Sequence, residues 1–179
     1  MSTSTSTSTT GKTSTSAPAV RRGLPVGEQV VAVQLAVWGP QEVTVRAYSD
    51  GGRGGAPYIA VGVGSYLTCA YDQGAIDSHV SAWQDAEQVN RSVRLPEFPP
   101  ATATRRHAGE DLSVLCNVSA EQRHSVTSST GPTGRPVITV TVGAVTVGVH
   151  TTTALRSHLT AWRRAATVTE MLKDAREDY

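Results

Sequence analysis

The chain has 179 residues, and its 16 basic side chains against 15 acidic ones leave no bulk charge to draw it toward nucleic acid or a membrane surface. Its two cysteines, Cys69 and Cys116, lack both a CxxC spacing and a neighbouring His pair, which argues against a zinc site. No apolar run approaches the length of a membrane span.

Residues 1–26 open with "MSTSTSTSTTGKTSTSAPAV", a Ser/Thr tract with neither an apolar segment nor an early basic cluster. Such a tract buries no apolar surface and is expected to be a disordered tail rather than a secretory signal. A soluble, reduced, cytoplasmic protein is the corresponding expectation.

Residues 27–90 begin with the apolar alternation "QVVAVQLAV", which predicts a strand. The break "WGPQ" leads to a second strand, "EVTVRAYSD", and the glycine-rich "GGRGGA" leads to a third that alternates Ile59, Val61 and Val63. A phosphate-loop reading of "SDGGRGGAP" fails because no Lys-Ser/Thr pair follows it, so a hairpin loop is expected there. Gly64 and Ser65 predict a tight hairpin to a fourth strand, since glycine tolerates the positive φ such turns need. A helix follows, with Asp72 as its N-cap. Ile76, His79, Val80, Trp83 and Ala86 fall on one face of it.

A Pro- and Arg-rich segment, residues 91–106, reads as an exposed linker. Residues 107–179 then run through the same order. "LSVLCNV", "SAEQ", "RHSVTSST" and "GPTGR" precede a strand that alternates Ile138, Val140 and Val142. Gly143 and Ala144 make the next hairpin, and Thr151 is placed to cap a second, longer helix bearing Leu155, His158, Leu159, Trp162 and Ala165. Residues 57–89 align with 136–168 without a gap at 12 identities in 33 positions, among them the Ser, His, Ala and Trp of "SHVSAW" (78–83) and "SHLTAW" (157–162). This is the signature of an internal duplication.

The expected fold class is therefore α+β, with two tandem ββββα repeats, each an antiparallel sheet with one packed helix, joined in a pseudo-twofold domain. This element order is similar to the topology of PUR-repeat and whirly-type proteins that bind single-stranded nucleic acid, and to a transcriptional coactivator that dimerises. The resemblance spans roughly residues 28–176 and is topological only, so it carries over no family site. It implies binding across an open sheet face.

If Ile59, Val61 and Val63 turn toward the helix, Tyr58, Ala60 and Gly62 turn away, together with Thr44, Arg46 and Tyr48 and with Leu67, Cys69 and Tyr71. Arg46, Tyr48, Tyr58 and Tyr71 form a candidate stacking platform in the first repeat, and Arg123 and His150 occupy the matching face of the second. Charge argues differently, because residues 28–90 sum to −5 and residues 107–169 to +2. Asp77, Asp85 and Glu87 on the first helix stand where the second has Arg156, Arg164 and Ala166, which suits a protein–protein assembly or regulatory module, by self-association or with a protein partner. His79, Trp83, His158 and Trp162 read as structural packing. No acid pair, metal cluster, cofactor fingerprint or nucleophile elbow is visible, so no catalytic residue, metal or cofactor is assigned and a non-enzymatic protein is expected.

Overall fold

The computed structural model describes residues 33–48, 56–100 and 114–177. The Ser/Thr-rich tail, residues 49–55 of the glycine-rich loop and residues 101–106 of the expected linker lie outside the described residues. The fold of the described residues is mixed α+β, with two four-stranded sheets and two helices.

Among the described residues, eight strands and two helices run in the order β1 (Val33–Val37), β2 (Val43–Tyr48), β3 (Tyr58–Val63), β4 (Tyr66–Ala70), α1 (Gln73–Val93), β5 (Val114–Val118), β6 (His124–Thr130), β7 (Pro136–Val142), β8 (Val145–Val149) and α2 (Thr152–Glu177). The expected hairpins at Gly64 and Gly143 are present, at φ +60° and +57°. Asp72 caps α1 by accepting from the Ala75 N–H at 2.8 Å, and Thr151 caps α2 by accepting from the Ala154 N–H at 3.2 Å.

Each sheet departs from the expected antiparallel four strands in one respect. The first has the order β1-β8-β7-β6 and the second β2-β3-β4-β5. Strand β1 pairs in parallel with β8, Leu35 opposite Val147, and β5 pairs in parallel with β4, Cys116 opposite Thr68. Neither β1–β2 nor β5–β6 forms a hairpin, because the chain between them crosses from one sheet to the other. At the first crossing Gly39 sits at φ +70° ahead of Pro40, which has no N–H to donate to a ladder. At the second, Ala120 takes φ +62°, a left-handed conformation that disfavours a side chain, and its N–H is held by the Asp72 carboxylate.

The helices also exchange places. Helix α1 follows the second sheet but covers β6 and β7 of the first, and α2 follows the first sheet but covers β2 and β3 of the second. The apolar faces of β3, β7 and β8 meet Ile76, Trp83, Leu155 and Trp162 in one continuous core. Fully buried Ala75, Ala82 and Ala86 on α1, with Ala154, Ala161 and Ala165 on α2, keep the helix surfaces narrow where they pack.

The segment expected to be an exposed linker from residue 91 begins as helix. Helix α1 runs to Val93 and ends at Arg94 in the left-handed region, whose N–H donates to the Asn90 carbonyl at 2.8 Å. Leu95 is then buried, and the carbonyls of Leu95, Pro96 and Glu97 accept from the Thr152 hydroxyl, the Thr152 N–H and the Thr153 hydroxyl at the start of α2. The two cysteines are free and lie on neighbouring strands. Thr68 opposes Cys116 and Cys69 opposes Asn117, so pleating puts the thiols on opposite faces of the sheet, away from disulfide geometry.

Candidate nucleic-acid interface

The outer face of the second sheet is built in rows across β2, β3, β4 and β5. Tyr48 pairs with Tyr58 across β2 and β3, and their rings stack at 4.8 Å with planes 16° apart. Tyr71, just past β4, continues the row at 5.4 Å from Tyr58 with planes 41° apart. Its hydroxyl donates a long 3.4 Å hydrogen bond to Asn117 Oδ1 on β5. The next row holds Arg46, Ala60, Cys69 and Asn117, and the one after it Thr44, Gly62, Leu67 and Leu115.

These rows present rings at one end and small side chains along the middle strand. Tyr48 and Tyr71 are 38% and 39% exposed, with Tyr58 half-buried between them. The Tyr58 phenol is held above its ordinary pKa, first by desolvation and then by Cys69, Tyr48 and Tyr71, so the middle ring stays neutral. Ala60, Gly62 and Cys69 leave a shallow floor, over which the Thr44 hydroxyl leans so closely that a Cβ at Gly62 would collide with it. Arg46 is exposed on the same face.

Four of the six residues selected from sequence thus share one surface, and two do not. Arg123 immediately precedes β6, and its carbonyl accepts from the Gly143 N–H at 2.9 Å. His150, just past β8, lies flat on Trp38 with ring centres 4.1 Å apart, and burial lowers its pKa. Both belong to the first sheet, whose outer face carries Thr139, Thr141, Thr146 and Gly148 and has no row of tyrosines. Sequence reasoning missed Asn117 and Leu115. Both reach the platform only because β5 joins β4 in parallel, for which hairpin spacing gives no signal.

The residues read as packing stack between the two helices. His79 and Trp83 are spaced to meet on one helix, yet each stacks on the opposite one: His79 on Trp162 at 3.9 Å, and Trp83 on His158 at 4.1 Å. Going from 79 to 83 the partner changes from 162 to 158, so the helices run antiparallel where they touch. The serines of the same motif hold the crossings. Ser78 Oγ donates to the Gly74 carbonyl and accepts from the Gln122 N–H at 2.8 Å, while Ser157 Oγ donates to the Thr153 carbonyl and accepts from the Gln41 N–H at 3.0 Å.

The charge contrast between the helices is used within the chain. Arg163 of α2 pairs with Glu87 of α1 at 2.9 Å, Arg156 lies 3.6 Å from Glu97, and Asp85 meets His124 at 3.1 Å. Among the described residues no three His, Cys, Asp or Glu side chains converge as metal ligands, and no helix is long and apolar enough to cross a membrane. No protein-family model, curated protein or solved structure matches this chain.

Proposed function

We propose that this is a non-enzymatic accessory protein that binds single-stranded DNA or RNA across the outer face of the second sheet, in a reducing, cytoplasmic setting. The observation that carries the reading is the continuous row Tyr48–Tyr58–Tyr71, with exposed Arg46 one row away. Base stacking on such aromatics contributes roughly 1–3 kcal/mol per base and tolerates any sequence, because every base has a π-face. Small residues at 60, 62 and 69 let a strand approach the sheet closely.

The fold itself reads best as an internal duplication whose two copies have exchanged their first strands and their helices. Two features support that history: the ungapped match at a spacing of 79 residues, and the reciprocal use of Ser78 and Ser157 to clamp opposite crossings. Only the first copy keeps the aromatic row, so one platform per chain is expected.

The test is a fluorescence-anisotropy titration of labelled single- and double-stranded oligonucleotides at two salt concentrations. Salt-sensitive binding that prefers single strands and weakens in Tyr58→Ala supports the reading, and absence of binding at tens of micromolar protein in low salt rejects it. One observation favours an assembly module instead. Leu67 and Leu115 stand side by side on the same face, Leu115 being 61% exposed, and unpaired apolar surface suits a protein partner or a second copy. Concentration-dependent dimerisation that is lost in Leu115→Lys, without oligonucleotide binding, is the outcome that reading requires.

A further inference from the structure

The tyrosine row does not end on an open rim. Beyond it a cleft of about 480 Å³ opens between the end of the second sheet and the last turns of α2. Its apolar lining includes Ala47, Ile59, Ala70 and Ile76. Tyr48, Tyr58 and Tyr71 of the row line it too, as do Thr169, Leu172 and Lys173 of α2. A volume of this size with apolar walls and few polar groups is typical of sites for small organic ligands.

The polar groups narrow the choice of ligand. Asp72 is already engaged, since its carboxylate receives the N–H groups of Ala75 and Ala120. Gln73 is oriented by its Nε2, which donates to Asp77 at 2.6 Å. That bond leaves Gln73 Oε1 buried with no donor among the described residues. Buried there, that oxygen is out of reach of a ligand in the cleft. Lys173 supplies a cation to the lining, and its exposed pairing with Glu170 at 3.0 Å is one that a stronger anion displaces at little cost.

A ligand that suits the tyrosine-edged apolar cleft and its cation is flat and aromatic and bears an anionic group. A nucleobase is such a ring, and its phosphate supplies the charge. We infer that the cleft is a nucleotide pocket, which receives the terminal base of a strand lying across the tyrosine row, with Lys173 facing the phosphate. This rests on the proposed platform for its biological ligand, although the pocket itself is testable with a free nucleotide.

The experiment uses the full chain, adenosine 5′-monophosphate and adenosine as free probes, and oligonucleotides with an intact or abasic terminal residue. Amide chemical shifts of Ala47, Ala70 and Gln73 should move on titration with the monophosphate, and adenosine should bind several-fold more weakly. Leu172→Trp, an exposed helical position that projects into the cleft, should weaken the monophosphate at least tenfold, and Lys173→Glu should erase its advantage over adenosine. An abasic terminus should reduce oligonucleotide affinity in the wild type but not in Leu172→Trp. No shift at these amides with 10 mM monophosphate, or oligonucleotide binding indifferent to both Leu172→Trp and an abasic end, overturns the pocket. In the second case the platform stands alone. Monophosphate binding without oligonucleotide binding establishes the pocket and rejects the platform.

Discussion

His79 of α1 lies flat on Trp162 of α2, ring centres 3.9 Å apart and planes 19° apart, and the same contact recurs in reverse between Trp83 and His158. The four rings form the centre of the core, where the indoles are 2% exposed or less. A motif repeated along the sequence therefore acts between its copies. Each His–Trp pair joins two helices, and each helix covers the sheet that the other follows.

Truncating one member of this cluster should cost far more than an average core substitution. Trp162→Ala removes a fully buried indole and leaves His79 without its stacking surface, for an expected loss of about 3–5 kcal/mol. Urea unfolding of the chain should show the midpoint falling with little change in slope. In a double-mutant cycle His79 and Trp162 should couple by roughly 0.5–1.5 kcal/mol beyond their buried area, whereas His79 and Trp83, neighbours on one helix, should couple less.

Acid should destabilise the fold through the same residues. Burial pushes the His79 pKa down to about 4, against a raising effect from its Nδ1 hydrogen bond to the Ala75 carbonyl, with His124 lowering it further. Burial, then the proximity of His79, pushes His158 down to about 3. Both rings are thus neutral in the folded chain while their unfolded counterparts take up protons near pH 6.5. The unfolded state binds the extra protons, so stability is full above about pH 6.5 and declines as pH falls through 6 toward 4 and 3, by roughly 1 kcal/mol per pH unit for each group in its window.

His158→Phe separates the two histidines. Neither ring nitrogen of His158 has a hydrogen-bond partner among the described residues, so phenylalanine keeps the stack on Trp83 and removes a desolvated polar ring. Stability at pH 7 should be unchanged or higher, with a shallower acid limb in a denaturation series from pH 7 to 4. His79→Phe should flatten the limb as well, but at a cost of about 1 kcal/mol at pH 7 for the lost bond to Ala75.

Ser78 and Ser157 should act as clamps whose loss is felt at a distant backbone position. Ser157→Ala deprives the Gln41 N–H of its acceptor, and Ser78→Ala does the same to Gln122, with an expected cost of about 1–2 kcal/mol each. Native-state hydrogen exchange gives a specific readout. The Gln41 amide should lose protection in Ser157→Ala and the Gln122 amide in Ser78→Ala, 116 and 44 residues away along the chain. Equal loosening of both crossings in either variant contradicts the one-to-one assignment.

The strands, hairpins and caps were legible in the sequence because local chemistry determines them. Alternation marks Ile59, Val61 and Val63, glycine with positive φ marks positions 64 and 143, and Asp72 and Thr151 cap as their types suggest. The alternation also placed Arg46, Tyr48, Tyr58 and Tyr71 on one face. Long-range partners were not legible. Whether β1 turns back as a hairpin or crosses to β8 is decided by Gly39, Pro40 and the hydroxyls of Thr151 and Ser157, which sit more than 110 residues away. Amphipathicity gives the buried face of α1 but not the sheet it buries against, so the exchange of helices, the addition of β5 to the platform and the trans-helix His–Trp stacks lay beyond the reach of periodicity.

If the second sheet binds nucleic acid, Arg46 should control its salt dependence more than its stacking. Arg46 is exposed one row from the tyrosines, and the platform carries no other arginine among Thr44, Ala60, Gly62, Leu67, Cys69, Leu115 and Asn117. Each phosphate neutralised on a single strand contributes about 0.7 to the slope of log affinity against log salt. Arg46→Gln should therefore lower affinity in low salt and flatten that slope by about 0.7, leaving base preference unchanged. Tyr48→Ala should do the opposite, weakening binding by roughly 1–3 kcal/mol at every salt concentration with the slope intact. Parallel anisotropy titrations of the two variants between 50 and 200 mM salt distinguish these behaviours. A slope unaffected by Arg46→Gln means that the strand's phosphates lie elsewhere than beside the tyrosine row.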